Sequence, residues 1–584
     1  MLKEPKRSEA GRSNYLGLLL RSSAVVVFLV IGCLTLASTV SIKSEFDEKL
    51  GQIFTSNQCP VAEIVRPEGY YQDNSTVSKI IGDESFRNQS AAKLSGAVQV
   101  NTEIFDSDPS VEEDPEYWAA KFAPFHDYLK ATFPRLFNEV LKVEKVNQWG
   151  LLLTWEGSDS SLEPIVLMAH QDVVPTQKAT LDDWTYPPYS GHYDGERLWG
   201  RGSADCKNLL IGLLESSELL VDSGFKPQRT IIFAFGFDEE VGGERGARTI
   251  SKRILERYGP NSIYAVVDEG GQSLVEQNDV YLALPGTSEK GALDVHVSVK
   301  TPGGHSSVPQ GDHTSIGLLA SYIHDLERTQ FKGVFTPLNP TFHEYQCIAV
   351  HSPSLPADVK RAILDAEYNS KANNKAIDYL TNESLLSRFL ISTSTAVDII
   401  NGGTKSNALP EYVEAVVNHR IAIESSVNET VEHDLRIAFK IARENDLGVK
   451  LNGKELKPVT EKGFFAIDYS DPLEPAPQTP VGDAKWKLLA GIIRHVYEEV
   501  SFPDNAKSPF KGKPVIVAPG IATGNTDTRY FWDLTKHIYR YRPGLNPTVE
   551  THAHGVDERI LFDSHLQIIA FYYQFLQVVD NDRS

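Results

Sequence analysis

Pro164-Ile165-Val166-Leu167-Met168-Ala169-His170-Gln171-Asp172 is the stretch on which the fold turns. Pro164–Ala169 is an uncharged run, short for a buried helix and the right length for a strand covered on both faces. It ends on an imidazole, and a carboxylate follows two residues later. In an extended chain, residues two apart share one face. The pattern recurs. Leu151–Trp155 is another short apolar run, Thr230–Phe237 leads into Asp238-Glu239-Glu240, and Ile263–Val267 leads into Asp268-Glu269-Gly270. Between them Cys206–Leu220 has helical spacing, with Leu209, Leu210, Leu213, Leu214 and Leu220 on one face, and Ala247–Tyr258 reads as a further helix. Strand and helix in alternation predict an α/β fold with a helix-covered sheet, whose functional groups gather at the carboxyl ends of the strands.

At 584 residues the chain exceeds what one core can organise. The pattern changes near Gly291. Leu293–Val299 alternates in period two, Thr301–Ser307 is a turn, and Ser315–Leu326 is helical; strands Ser392–Asn401 and Glu414–Ile423 and a helix Val431–Arg443 follow. This β-α-β-β-α order suits a small α+β, ferredoxin-like unit inserted into the first domain, with a helical, polar insertion over about 330–390. Helices near Asp483–Val500 and Ile560–Gln577 return to the first domain. The expected divisions are 111–290 and 471–584 for the main domain and 291–470 for the inserted one.

The N-terminal region has its own logic. Ala24–Val40 carries no charge, near the lower limit of the about 17–25 residues that cross a bilayer. Lys3, Lys6, Arg7, Arg12 and Arg21 precede it, and Glu45, Asp47 and Glu48 follow. The positive-inside bias predicts a cytosolic tail over 1–22, a transmembrane signal anchor over 23–41, and a lumenal body joined by a stalk over 42–110. A cleaved signal peptide is the alternative, but so long a charged leader favours the anchor. Sequons at Asn74, Asn88, Asn382 and Asn428 lie on the lumenal side and are candidate glycosylation sites. Of Cys33, Cys59, Cys206 and Cys347, at most one pair is expected to bridge, for example Cys59 with Cys347. A net charge of −21 excludes nucleic acid as the main partner.

The chemistry lies at the strand ends. His170 and Asp172 can act together, the carboxylate accepting the second imidazole N–H. Asp205 follows the glycine-containing loop Gly200–Ala204 and immediately precedes a helix, so it is either an N-cap or a carboxylate offering one oxygen to each of two metal ions. Three acids at Asp238-Glu239-Glu240 repel one another at a buried strand end unless a cation or proton compensates. Asp268 repeats the arrangement. Near the C-terminus His552 and His554 are equally plausible donors on chemistry alone.

Charge accounting favours two metals. Two divalent ions bring four positive charges; Asp205, Glu240 and Asp268 supply three negative ones and a shared hydroxide the fourth. Nitrogen and oxygen donors without thiolate fit zinc best. Glu239 is then left to take and return protons.

His170-Gln171-Asp172-Val173-Val174-Pro175, Gly200–Lys207, Asp238-Glu239-Glu240 and Asp268-Glu269-Gly270, in this order and spacing, resemble the aminoacylase/carboxypeptidase family of co-catalytic zinc metallopeptidases, and within it the fungal vacuolar Gly-Xaa carboxypeptidases. The resemblance implies two zinc ions, one held by His170 and Asp268, the other by Glu240 and His554, with Asp205 bridging. It implies that Asp172 orients His170 and that Glu239 is the general base and acid. It selects His554 over His552 and makes the inserted unit a lid. Further, it implies substrate contacts from His305, Asn407 and Arg529, although Asn525 stands where the family often has a second glycine. The substrates implied are short peptides with a free C-terminal carboxylate, cut in a vacuolar or other secretory lumen. N-acyl-amino-acid hydrolysis is the runner-up, and a non-catalytic binding ectodomain is a third reading that a missing base or ligand would have favoured.

Overall fold

The computed structural model describes residues 58–309, 311–502, 508–510, 512–544 and 548–584. The apolar runs pair with one another as their periodicity predicts. They build an eight-stranded sheet from β1 (Lys142–Val146), β2 (Gly150–Trp155), β3 (Ile165–His170), β4 (Ile231–Gly236), β5 (Ala265–Asp268), β6 (Gly286–Glu289), β7 (Gly520–Ala522) and β8 (Ile538–Arg540). Their spatial order is β1-β2-β4-β3-β5-β8-β6-β7. The centre, β4-β3-β5-β8, is parallel, while β1, β2 and β6 introduce antiparallel pairs.

Strand alternation sorts the side chains onto two faces. Leu151, Leu153, Leu167, Phe233, Phe235 and Val267 pack under the helices Lys207–Asp222 and Phe562–Asn581. Leu152, Val166, Met168, Ile232 and Val266 pack under Ala247–Tyr258. β2, β3, β4 and β5 are buried along their whole length, as expected of strands covered on both sides.

The inserted unit has its own six-stranded sheet, in the order 394–402, 412–421, 291–300, 464–469, 448–451, 454–457. Helices Ser315–Arg328 and Val427–Glu444 pack on it around a separate core. The expected β-α-β-β-α order is present. Three strands at its end, Gly448–Leu451, Lys454–Lys457 and Phe464–Tyr469, were not foreseen, because the first two are short and rich in lysine. The helical insertion comprises Pro340–His351, Ala357–Leu364, Ser370–Glu383 and Leu385–Leu390, and its first helix touches β7.

The expected stalk needs correction. Helices Ser75–Gly82 and Glu84–Gln99 place Val77, Ile80, Phe86, Leu94, Ala97 and Val98 in the main core. Glu84–Gln99 hides this by facing the core partly with alanines, which leave a faint apolar stripe. The tail over 1–22 and the anchor over 23–41 lie outside the described residues. Among the described residues no helix is long and apolar enough to cross a membrane. Cys59 and Cys347 are disulfide-bonded, and Cys206 is free and buried. Asn74, Asn88, Asn382 and Asn428 are all exposed, and Asn382 Nδ2 donates to the Asp378 carbonyl at 2.7 Å.

Two histidines are buried in the main domain. His565 lies wholly inside with Glu215 3.9 Å away, and burial, then Lys93, pushes its pKa down to about 3. Burial, then Lys145, likewise lowers His126 to about 4. Each is neutral when folded and takes up a proton when unfolded below its ordinary pKa of about 6.5. Their contribution to stability is therefore complete above about pH 6.5 and is lost as pH falls toward the folded values, by at most about 1.4 kcal/mol per pH unit for each group. His565→Phe should flatten the fall in melting temperature between about pH 6.5 and about pH 4. Thermal denaturation across that range checks it, and an unchanged slope would assign the acid sensitivity to other groups.

Candidate metal centre

Each candidate ligand reaches the carboxyl edge of the sheet by a different route. β3 ends on His170 and β5 on Asp268. Asp205 closes the loop before the helix Lys207–Asp222, and Glu239 and Glu240 open a 3₁₀ turn directly after β4. His554, with φ of +64°, lies in the segment before the last helix.

Asp205 joins the set. Its Oδ1 is 3.2 Å from His170 Nε2 and its Oδ2 is 3.3 Å from His554 Nε2. His554 Nε2 is also 3.2 Å from Glu240 Oε2, and His170 Nε2 is 3.3 Å from Glu269 Oε1. One carboxylate thus stands between two imidazoles, each of which has a second carboxylate beside it. His554 is half-exposed, which leaves one side of the cluster open. His552 turns away, its Nδ1 near the Val556 carbonyl and Arg559.

Asp172 does more than orient a ring. The nearer partner of His170 Nδ1 is the Asp172 carbonyl oxygen, at 3.0 Å, with the carboxylate at 3.5 Å. Nδ1 donating there leaves Nε2 as the free donor atom, although the tautomer is inferred from these contacts. The Asp172 carboxylate instead accepts the Glu240 backbone N–H at 3.0 Å, tying the β3 end to the acidic turn. Asp238 is a structural clamp, accepting the N–H groups of Arg245 and Gly246 at 2.7 Å each.

At the end of β5 two adjacent acids take different positions. The group around His170 contains Asp205, Cys206 and Glu269, whose ligating atoms lie within 4.8 Å of one another, and Asp268 is not among them. Asp268 Oδ1 instead accepts the Glu269 N–H at 2.8 Å, while the longer Glu269 side chain reaches the imidazole. Asp268 Oδ2 is buried without a partner, as is Glu240 Oε1. Buried carboxylate oxygens are rarely left so unless a cation or a proton accompanies them.

Electrostatics point the same way. Burial, then Glu269, pushes Asp268 up to about 8, and burial pushes Glu240 up to about 7. Burial, with Asp527, Glu269 and Glu240 nearby, holds Glu239 well above the usual carboxylate range. Hydrogen bonds to Asp205 and Glu240 lift His554 to about 10. A site that draws protons onto acids and imidazoles alike is one that a cation would neutralise. Asp527, which sequence reasoning passed over, adds to this wall. It packs so tightly on the turn after β4 that a Cβ on Gly243, at φ +70°, would stand 2.0 Å from its Oδ1. The signal was available in Gly242-Gly243, but not the partner.

Residues 166–578 match the family described as Peptidase family M20/M25/M40. The chain belongs to this family. It is 41% identical over 562 residues to Carboxypeptidase S of Saccharomyces cerevisiae, covering 95% of each protein. It is 31% identical over 497 residues to an N-fatty-acyl-amino acid synthase/hydrolase of Bos taurus, covering 84% of this chain and 87% of that one. The solved structure of the di-peptidase Dug1p from Saccharomyces cerevisiae superposes with a TM-score of 0.57 at 14% identity, over 87% of this chain and 99% of that chain. At that identity the likeness speaks for the fold alone.

Within this family M20 chain, His305 and Asn407 come together on the inserted unit. Gly304–His305 pairs antiparallel with Ala408–Leu409, and Ser306 N donates to the Asn407 carbonyl at 3.3 Å. His305 is exposed, with Nδ1 2.7 Å from Ser307 Oγ. Neither belongs to the groups of ligating atoms around His170 and His554. Arg529 sits in the 3₁₀ turn Asp527–Tyr530, donates to the Gly242 carbonyl, and keeps a buried Nε without a partner. It is therefore beside the Glu239 turn, not on the inserted unit.

Asp205→Asn should lose bound metal, measured as metal per chain after dialysis. Asp268→Asn and Glu269→Gln, compared in the same way, separate the two acids at the end of β5: the first should lower the metal content, and the second should leave it unchanged.

Proposed function

We propose that the chain is a two-zinc carboxypeptidase that removes the C-terminal residue from short peptides of the Gly-Xaa type. The observation that carries this is the Asp205 carboxylate, each of whose oxygens faces a different imidazole at 3.2 and 3.3 Å. His170 and Asp268 would hold one ion and Glu240 and His554 the other, with Asp205 between them. Nitrogen and oxygen donors at both positions suit zinc. When bound, the metal pair supplies an activated water and polarises the scissile carbonyl.

The remaining steps belong to the protein. Glu239, whose carboxylate lies with His170 and Glu240 within 4.8 Å, takes the proton released as water adds to the carbonyl carbon. It returns that proton to the amine nitrogen as the C–N bond breaks. Its buried surroundings raise its affinity for a proton, which suits it to accept one from the attacking water. His305 of the lid would stabilise the oxyanion, with Asn407 beside it, and Arg529 would bind the free carboxylate of the substrate.

The similarity to the Bos taurus synthase/hydrolase favours a second reading, N-acyl-amino-acid hydrolysis by the same centre, since both substrate types present an amide and a carboxylate. We place the body in a vacuolar or other secretory lumen behind an N-terminal anchor over 23–41, in a type II orientation. The basic flank before that run and the exposed sequons Asn74, Asn88 and Asn428 support this reading. Asn382 is the fourth proposed glycosylation site.

Glu239→Ala should retain both metals and lose hydrolysis by at least about a hundredfold. Metal analysis beside turnover checks it, and near-normal turnover would remove Glu239 from the mechanism. Against a blocked Gly-Leu dipeptide the enzyme should show a higher kcat/KM than against a long-chain acyl leucine, and the reverse ranking would install the second reading.

A further inference from the structure

We propose that Glu558 is a positioning residue that locks the Asp205 loop to the His554 segment, and that tight metal binding depends on its carboxylate. This rests on the two-metal reading above. Glu558 is completely buried and lies four residues after His554. Its Oε1 accepts the backbone N–H groups of Gly202 and Ala204 at 3.0 Å and of Asp205 at 3.2 Å. Its Oε2 accepts from Arg201 Nη1 at 2.5 Å, and its own carbonyl accepts the Gly200 N–H at 2.8 Å.

Five hydrogen bonds from one residue therefore organise the whole loop that ends on Asp205, across more than 350 positions of sequence. The neighbouring residues continue the seam. Arg559–Leu561 pairs antiparallel with Arg197–Trp199, immediately before the loop. The Asp557 carboxylate accepts from Thr185 N and Oγ1 at 2.6 and 2.7 Å. From the opposite side Arg542 donates to the Ala204 carbonyl.

The geometry explains why a carboxylate is needed. Asp205 must present one oxygen to each imidazole, so a small rotation of its loop would pull it from one while pushing it onto the other. Three N–H groups converging on one oxygen, with a guanidinium on the other, call for an anionic acceptor. Glutamine would preserve the size and the three N–H contacts but would turn an NH₂ donor toward Arg201. Arg201 is itself only 3% exposed, and its Nε already lacks a partner, so it has no alternative acceptor to turn to. Glu558 touches none of the ligating side-chain atoms; it acts through the backbone of the loop.

The test uses the full chain as wild type and as Glu558→Gln and Glu558→Asp. Zinc affinity is measured by chelator competition well below the melting temperature, with melting of the chelator-treated proteins recorded alongside. Outer partners of metal ligands typically govern affinity by about 10–100-fold. Glu558→Gln should weaken zinc binding by about that factor, beyond what its lowered metal-free melting temperature accounts for. Its lost kcat should return with excess zinc, at unchanged KM. Glu558→Asp, which keeps the charge, should recover part of the affinity, and it decides the matter if Glu558→Gln does not fold. Wild-type affinity in Glu558→Gln, or in Glu558→Asp an affinity loss no greater than the loss of metal-free stability predicts, would overturn the positioning role. A wild-type chain that takes up no zinc would instead overturn the reading of the centre itself.

Discussion

Mutual repulsion among buried acids is the constraint around which the catalytic edge is built. Asp205, Glu239, Glu240, Asp268, Glu269 and Asp527 are drawn into one region at the carboxyl ends of β3, β4 and β5. Two like charges about 4 Å apart repel by roughly 4 kcal/mol at an effective dielectric of about 20. A few such pairs rival the roughly 5–15 kcal/mol that holds a domain together. The cluster cannot be fully ionised and unaccompanied. Protonation relieves it in part, as the raised pKa values of Asp268, Glu239 and Glu240 record. Metal cations bound among these carboxylates would relieve much of the rest, and so the same feature that burdens the fold equips the site.

The surrounding architecture holds these groups in place. Asp172 gives its carbonyl to His170 and its carboxylate to the Glu240 backbone; Asp238 spends both oxygens on the loop that leads into Ala247–Tyr258. Deeper along the same edge, Arg540 pairs with Glu289 at 2.9 Å and donates to Thr528, all fully buried. Asn525 then links this framework to the inserted unit, donating to the Lys290 carbonyl at 2.6 Å and accepting from Arg420 Nη1 at 2.8 Å. A glycine in its place could make neither side-chain contact. Asn525 thus ties the loop before the 3₁₀ turn Asp527–Tyr530 to the inserted unit.

Much of this was legible in the chain, and the failures have physical causes. β3 and β4 announce themselves because strands buried on both faces are apolar throughout, while the gathering of His170, Asp205, Glu240 and His554 was suggested only by the motifs taken together, since each alone has an ordinary structural role. β6, β7 and β8 did not stand out, since Gly-Thr-Ser-Glu, Gly-Ile-Ala and Ile-Tyr-Arg are too short and mixed to show a period. Helix Glu84–Gln99 escaped for the opposite reason, a core face made partly of alanine. Asp268 and Glu269 are adjacent acids, and only side-chain reach, invisible to spacing, puts the second nearer His170. Glu558 could not be found at all from local pattern, because its partners are some 350 residues upstream.

The position of β8 has a consequence for synthesis. It lies between β5 and β6, yet both of those are translated long before it, with the entire inserted unit in between. A chain leaving the ribosome therefore holds two unpaired strand edges until nearly its last fifty residues have been made. The helix Phe562–Asn581, which covers the larger core, arrives later still, as does His554. Prematurely terminated products would expose both edges and a bare apolar face, and they would be the molecules that chaperones and cellular proteases meet first.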